Sequence, residues 1–348
     1  MVGGMSAVTS TRVVLASRPH GEPTPDNFRT ETVELPALSD GQVLLRTVYL
    51  SLDPYMRGRM NDAKSYAPPV AVGDVMVGAT VSQVVESQSL RIEPGAYVLG
   101  YTGWQSHAVA DVNSLRALYP DRAPLSTALG VLGMPGFTAY AGLLKIGRPQ
   151  AGETVVVAAA AGPVGSAVGQ IAKIHGARAV GIAGGAEKCG YLRDELGFDA
   201  AIDHRAEDFA DQLKAAVPDG IDVYFENVGG PVTAAVLPLL NFYARIPVCG
   251  LVSQYNIVSA PEGPDRLPAF MGLVLTRSLT VRGFIQTEFI QEMSADFERD
   301  ASGWLADGRL KHREDVVVGL EKAPDAFIGM LHGKNFGKLV VRVGPEQD

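Results

Sequence analysis

Hydrophobic spacing divides the chain into two textures. Up to about residue 130 the apolar runs are short and strand-like, at Arg12–Leu15, Gln42–Leu50, Val75–Val85 and Ala96–Leu99, with Pro, Gly and Asp clusters between them. This spacing predicts a mainly β region. From about residue 151, strand candidates alternate with helical patterns: Thr154–Ala158, Ala177–Ile182, Ala200–Asp203, Asp222–Glu226, Arg245–Cys249 and Leu279–Phe284. Such alternation predicts a parallel sheet covered on both faces, because parallel neighbours need a crossover and the crossover is usually a helix. A helix over Ile290–Leu305 follows, then strand-like runs at Arg313–Gly319 and Gly337–Val343 that on pattern alone fit either sheet.

Length and composition narrow the class. At 348 residues the chain exceeds what one core usually serves, so two domains are expected, and 39 Gly with 22 Pro mark a turn-rich globular protein. A net charge of -8 argues against a nucleic-acid partner, since that affinity comes from clustered Lys and Arg. Cys189 and Cys249 are the chain's two cysteines, and such sparse usage reads as free thiols in a reducing compartment. Met1–Ser6 lacks the charged start and apolar run of a secretory signal, which points to the cytoplasm. The most apolar stretch, Thr154–Ile174, is broken by Gly162, Pro163, Gly165 and Gly169, so it reads as strand, turn and helix, and no membrane partner is expected.

That stretch carries the strongest local signal. Thr154–Ala158 is a Val-rich strand, and Ala160, Gly162 and Gly165 stand where a G-x-G-x-x-G fingerprint has its glycines. The chemistry asks for bare backbone there, because a pyrophosphate sits against N–H groups at a helix start. Pro163 suits the first helical turn, where no N–H is needed, and Gly165 permits close packing of helix on strand. A tight turn with no ligand is the alternative; position at the head of a βαβ series favours the dinucleotide. At the tip of the second strand, Ala183-Gly184-Gly185-Ala186-Glu187-Lys188 places no acid where an NAD site has one. A ribose 2′-phosphate would meet open space and Lys188, which favours NADP. Alternatively, Lys188 is a solvated helix residue and Glu187 serves the ribose.

Several longer strings occur in one order: Leu52–Met60, Gly130–Tyr140, Glu226–Gly230, Cys249–Asn256 and Gly333–Lys338. On these the chain resembles, over essentially its whole length, the zinc-independent medium-chain dehydrogenase/reductases. Within them it is similar to the group of prostaglandin reductases, double-bond reductases and bacterial NADPH-dependent curcumin reductases. The resemblance implies an α/β fold in which a GroES-like mainly β domain (1–134) precedes a Rossmann domain with a doubly wound parallel sheet (135–308), and residues 309–348 return to complete the first. It implies NADP(H) held by Gly162, Pro163, Val164 and Gly165 at the pyrophosphate and by Gly184, Lys188 and His204 at the adenosine end. The rest of the coenzyme falls to Asn227, Cys249, Gly250, Leu251, Val252, Ser253, Tyr255, Phe284, Ile285, Asn335 and Gly337. It also implies a homodimer. His204 stands where the prostaglandin reductases have a tyrosine near the adenosine end, a departure shared by the curcumin reductase pattern; Thr276 stands where they have another, and that departure argues against prostaglandin-like activity.

A catalytic zinc needs about three protein ligands. Both cysteines lie in the nucleotide half and the six histidines show no ligand-like spacing, so no metal is expected. In the resembling enzymes, hydride passes to the β-carbon of an α,β-unsaturated ketone or aldehyde and hydroxyl donors stabilise the enolate. Tyr255, Tyr55 and Tyr66 match the tyrosines of such sites. Tyr255 ranks first because it ends a turn after a Rossmann strand, where doubly wound sheets hold ligands; Tyr55 and Tyr66 have packing and loop-anchor readings beside the catalytic one. A quinone reductase on the same scaffold and a non-catalytic NADP(H)-binding sensor or structural protein are the competing expectations.

Overall fold

The computed structural model describes residues 8–259 and 263–346. Residues 1–7, which carry the expected absence of a secretory signal, lie outside the described residues. The chain divides into two compact units: one runs to Leu129 and resumes over Glu314–Asn335 and from Leu339, and the other spans Gly130–Arg313 with Phe336–Lys338.

The first unit is mainly β. Strands β1 (Thr9–Leu15) and β2 (Phe28–Glu34) form an antiparallel pair. Next come β3 (Gln42–Ser51), the short helix α1 (Tyr55–Arg59), β4 (Thr80–Ser87), β5 (Tyr97–Gly100), β6 (His107–Asp111) and β7 (Arg116–Leu118). The expected strand Val75–Val85 begins only at Thr80. Its first residues cross to β1 instead, Met76 N donating to Val13 O at 3.0 Å and Val75 bridging Val14. Strands β2, β6 and β7 escaped the pattern because their apolar positions are few; β2, Phe-Arg-Thr-Glu-Thr-Val-Glu, buries only Phe28.

The second unit opens with α2 (Met134–Ala141) and then alternates: β8 (Thr154–Val157), α3 (Pro163–Ile174), β9 (Arg178–Ala183), α4 (Ala186–Asp194), β10 (Ala200–Asp203), α5 (Phe209–Ala216), β11 (Ile221–Phe225), α6 (Gly230–Val236), β12 (Leu240–Val248), α7 (Leu267–Thr276), β13 (Thr280–Gly283) and α8 (Ile290–Ala306). Among the described residues its six strands are ordered β10-β9-β8-β11-β12-β13, and every neighbouring pair is parallel. This is the doubly wound arrangement, whose strand order reverses between β8 and β11 and opens a crevice beyond their carboxyl ends. Central β8 is buried at all four positions, as a strand with helices on both faces must be. Its Val155, Val156 and Val157 are completely buried, each contributing roughly 1.5–3 kcal/mol of apolar burial.

The tail resolves the ambiguity of its two strand-like runs. After β14 (Glu314–Val318) and α9 (Ala323–Leu331), β15 (Lys338–Arg342) pairs antiparallel with β3, giving the order β14-β15-β3-β4-β5-β7 with β6 also on β3. A core of Leu50, Met56, Trp104, Phe327 and Val341 joins tail to head, with Trp104 stacked on Phe28 and edge-on to Phe327.

Candidate active site

The glycine turn forms as its residues require. Gly162 is the N-cap of α3 with extended backbone, and Pro163 occupies the first turn, where helical N–H groups have no partner within the helix. A Cβ on Gly165 would collide with the Ala159 carbonyl and come within 2.7 Å of Ala160 Cα, so the helix can press this close only with glycine there. Ala160 N donates to Ile182 O at 2.9 Å, locking the turn onto the next strand. The first turn of α3 is thus a bare helix start at the reversal of strand order, which fits a pyrophosphate.

One strand outward, the tips of β9 and β10 carry cations. Lys188 is half buried on the first turns of α4, and a Cβ on Gly184 would meet Arg205 Nε at 2.9 Å and His204 Nε2 at 3.0 Å. His204 is exposed, yet desolvation of the part against the turn lowers its pKa, Arg205 adds to this, and Lys188 contributes further. Asp203, at the end of β10, accepts Gly185 N and Arg205 N, each at 2.9 Å, and these backbone donors, Gly185 first, hold its carboxyl below the usual range. The acid of this region is therefore engaged with backbone and ties the tip together. Sequence reasoning found Lys188 and His204 but not Arg205, whose signal was its place one residue beyond His204 after a strand.

On the other side of the crevice a buried carboxylate organises two loops. Glu226 is 2% exposed; its Oε1 accepts from Val228 N at 2.7 Å and Gly229 N at 2.9 Å, and its Oε2 from the Thr233 hydroxyl. Its main-chain carbonyl accepts Cys249 N at 2.9 Å and Gly250 N at 3.2 Å. Asn227 in turn donates from Nδ2 to Ala158 O at 2.8 Å, and Val228 O accepts the Ser253 hydroxyl at 2.6 Å. The loop after β11 thereby sets the loop after β12. Glu226 was passed over as a site residue although it heads the Glu-Asn-Val-Gly-Gly string.

These loops border a cavity of about 420 Å³ lined by Val248, Cys249, Gly250, Leu251, Tyr255, Gly283, Phe284, Ile285 and Glu288. Six of the expected coenzyme residues are brought together here. Tyr255 follows a short turn over Val252–Gln254, and its hydroxyl accepts Leu251 N at 3.4 Å. Cys249 is a free thiol pushed up to about 12 by burial and then by Glu226, so it is no nucleophile at neutral pH. The ring of Phe284 packs against Phe225 and Phe289, which restricts it to a wall of the cavity. Glu288 accepts Ile285 N at 2.8 Å and pairs with Arg282 at 3.0 Å.

Tyr55 and Tyr66 belong to the first unit. Tyr55 starts α1 and packs on the core beside Met56, and its hydroxyl is raised above the ordinary phenol value by burial, with Asp53, Tyr101 and Tyr66 adding to it. A neutral phenol is thus secured at any physiological pH. Tyr66 is 61% exposed, as a loop residue, and Tyr101 joins the group without having been signalled by the sequence. Half-buried Asn335 lies in this unit too, whereas Gly337, at φ +85°, belongs to the second, where a Cβ would collide with the Arg313 carbonyl; its part is a backbone close approach. Among the described residues, no group of three His, Cys, Asp or Glu could hold a metal ion, and no helix is long and apolar enough to cross a membrane.

A parallel sheet of this strand order with a bare helix start at its crevice defines a dinucleotide-binding oxidoreductase fold, and the comparisons agree. Residues 11–118 match the family described as the N-terminal domain of oxidoreductase, and residues 163–305 the one described as zinc-binding dehydrogenase. NADPH-dependent curcumin reductase of Escherichia coli is 56% identical over 340 residues, covering 98% of this chain and 99% of that protein. Prostaglandin reductase 1 of Rattus norvegicus is 43% identical, covering 92% and 95%. The crystal structure of CurA in complex with NADPH from Vibrio vulnificus superposes with a TM-score of 0.93 at 54% identity, covering 96% and 99%. The chain belongs to the zinc-independent medium-chain dehydrogenase/reductases, in the group that contains these curcumin and prostaglandin reductases.

Proposed function

We propose that the protein is an NADPH-dependent reductase of the C=C bond of α,β-unsaturated ketones and aldehydes, curcumin-like enones and alkenals among them. The carrying observation is the cavity of about 420 Å³ with Tyr255 in its wall, two strands across from the glycine turn in the same sheet. The first turn of α3 holds the pyrophosphate, Lys188, His204 and Arg205 the 2′-phosphate, and Asn227 with the Cys249–Tyr255 run, Phe284 and Ile285 the nicotinamide half. Bound NADPH supplies the hydride for the β-carbon. Tyr255 Oη donates to the enone oxygen as negative charge builds there; a donor aimed at charge that exists only in the transition state lowers the barrier rather than merely tightening binding. Leu251 N, donating to Tyr255 Oη, orients that hydroxyl.

The test is NADPH oxidation with curcumin, an alkenal and a quinone as acceptors. Wild-type protein turns over the enones, and Tyr255→Phe lowers kcat about 10- to 100-fold while NADPH affinity changes less than about 3-fold. Turnover of the quinone alone makes the protein a quinone reductase, and tight NADPH binding with no turnover makes it a sensor. Tyr55→Phe and Tyr66→Phe in the same assay decide whether either phenol touches substrate.

We further propose a cytoplasmic homodimer, the compartment being supported by two free thiols. The assembly is supported by the open edge of β13, exposed at all four positions, beside α7, which buries none of its residues and leaves Leu267, Met271 and Leu275 exposed. An open strand edge next to an apolar helix is a surface folded proteins usually cover. Light scattering should give twice the 36.8 kDa chain mass; a monomer at micromolar concentration removes this part of the proposal.

A further inference from the structure

The string Gly333–Lys338 has at its centre a ring that gathers cations. The guanidinium carbon of Arg313 lies 3.8 Å from the Phe336 centroid and 5.7 Å from that of Tyr191, while Lys188 Nζ lies 5.9 Å from the Phe336 centroid. Tyr191 meets Phe336 edge-on at 5.1 Å. The ring is fixed by its backbone as well: Lys338 N donates to Arg313 O at 2.9 Å, and Gly337 passes so close to that carbonyl that no side chain fits. All these residues fall within the coenzyme-binding unit, although Phe336–Lys338 are separated from the rest of it by the return segment.

A lysine on a helix surface samples many rotamers, and a site relying on its charge loses affinity to that freedom. An aromatic face within about 6 Å of the ammonium restricts it at little desolvation cost. Arg313 already holds the ring at contact distance, so Lys188 is drawn toward the ring without being buried on it. A dianion beyond the ammonium remains its better partner. We propose that Phe336 is a positioning residue for Lys188 and through it sets the preference for a coenzyme bearing a 2′-phosphate. This rests on Lys188 being the 2′-phosphate contact.

Dissociation constants of NADPH and NADH, measured by fluorescence titration on the full-length protein, test it. Lys188→Ala should cut the NADPH-over-NADH preference about 10- to 100-fold. Phe336→Leu should cut it about 3- to 10-fold, almost wholly through NADPH, Phe336→Tyr should keep it within about 2-fold, and Phe336→Leu should add nothing in the Lys188→Ala background. Should Phe336→Leu fail to fold, Phe336→Met, which fills the space without a ring, answers the same question. Preference unmoved by Lys188→Ala overturns the reading of the site and the proposal with it. Preference that falls with Lys188→Ala but not with Phe336→Leu, or that Phe336→Leu lowers equally when Lys188 is absent, overturns the role of Phe336 alone.

Discussion

The start of α3 and the tips of β9 and β10 lie side by side on one sheet, yet the phosphate contacts proposed for them are built in opposite ways. At the helix start recognition is made of backbone: Gly162 caps, Pro163 gives up its N–H, and Gly165 lets the helix close on Ala159 and Ala160. At the tips it is made of side chains: His204 and Arg205 lie against Gly184, Lys188 is near enough to lower the His204 pKa, and Asp203 accepts Gly185 N and Arg205 N. Backbone recognition depends on no side-chain charge and is intolerant of added volume. Side-chain recognition is the reverse, sensitive to salt and to single charges but tolerant of reshaping. On the proposed function, the first binds what all dinucleotides share, and the second tells them apart.

The sharpest way to break this contrast is to add volume where only backbone works. Gly165→Val places a side chain on the Ala159 carbonyl and Ala160 Cα, which the turn after β8 cannot accommodate without shifting. Overpacking of this kind costs about 1–3 kcal/mol, so melting should drop by roughly 2–12 °C. NADPH and NADH affinity should both fall more than about 100-fold, since each loses the helix start. Calorimetry and coenzyme titration on the same preparation check it; a variant that keeps NADH binding while losing NADPH would place the 2′-phosphate at this turn and erase the distinction. Raising salt from about 50 to 500 mM in the wild type should do the opposite and weaken NADPH more than NADH.

The same contrast explains what could be read from the sequence. The glycine turn is legible because a backbone requirement writes itself into consecutive residues: a Val-rich strand, then glycines at fixed spacing, then a helix. Tyr255 was legible because it ends a loop directly after a strand, whereas Asn227 was implied only by the family resemblance. The cationic tip was only half legible. Lys188 stands on α4, but Arg205 reaches Gly184 from the next βα unit, and parallel pairing of β9 with β10 is what brings them together. Glu226 was hidden for a related reason: its partners are main-chain groups of two loops, and backbone partners leave no residue signature. Phe336 is the extreme case, three residues of the coenzyme-binding unit placed beyond α9 by a chain that crosses back.

The smallest expected effect concerns the acid that ties the side-chain region to the backbone. Asp203 accepts two N–H groups through one oxygen, and Asp203→Asn keeps an acceptor there while removing the charge. Because Gly185 N, and then Arg205 N, lower the folded-state pKa, the unfolded chain binds the proton more tightly than the folded one. The stabilisation is therefore complete above the ordinary aspartate value of about 4 and is lost as pH falls through the lower folded value. Melting of Asp203→Asn should lie about 1–3 °C below wild type at neutral pH, a partly exposed charge being worth little more, and the two curves should converge as pH falls below the ordinary aspartate value. A gap that stays constant as pH falls through the acid range would mean the carboxylate's charge contributes nothing, and that the tip, like the glycine turn, is held by geometry alone.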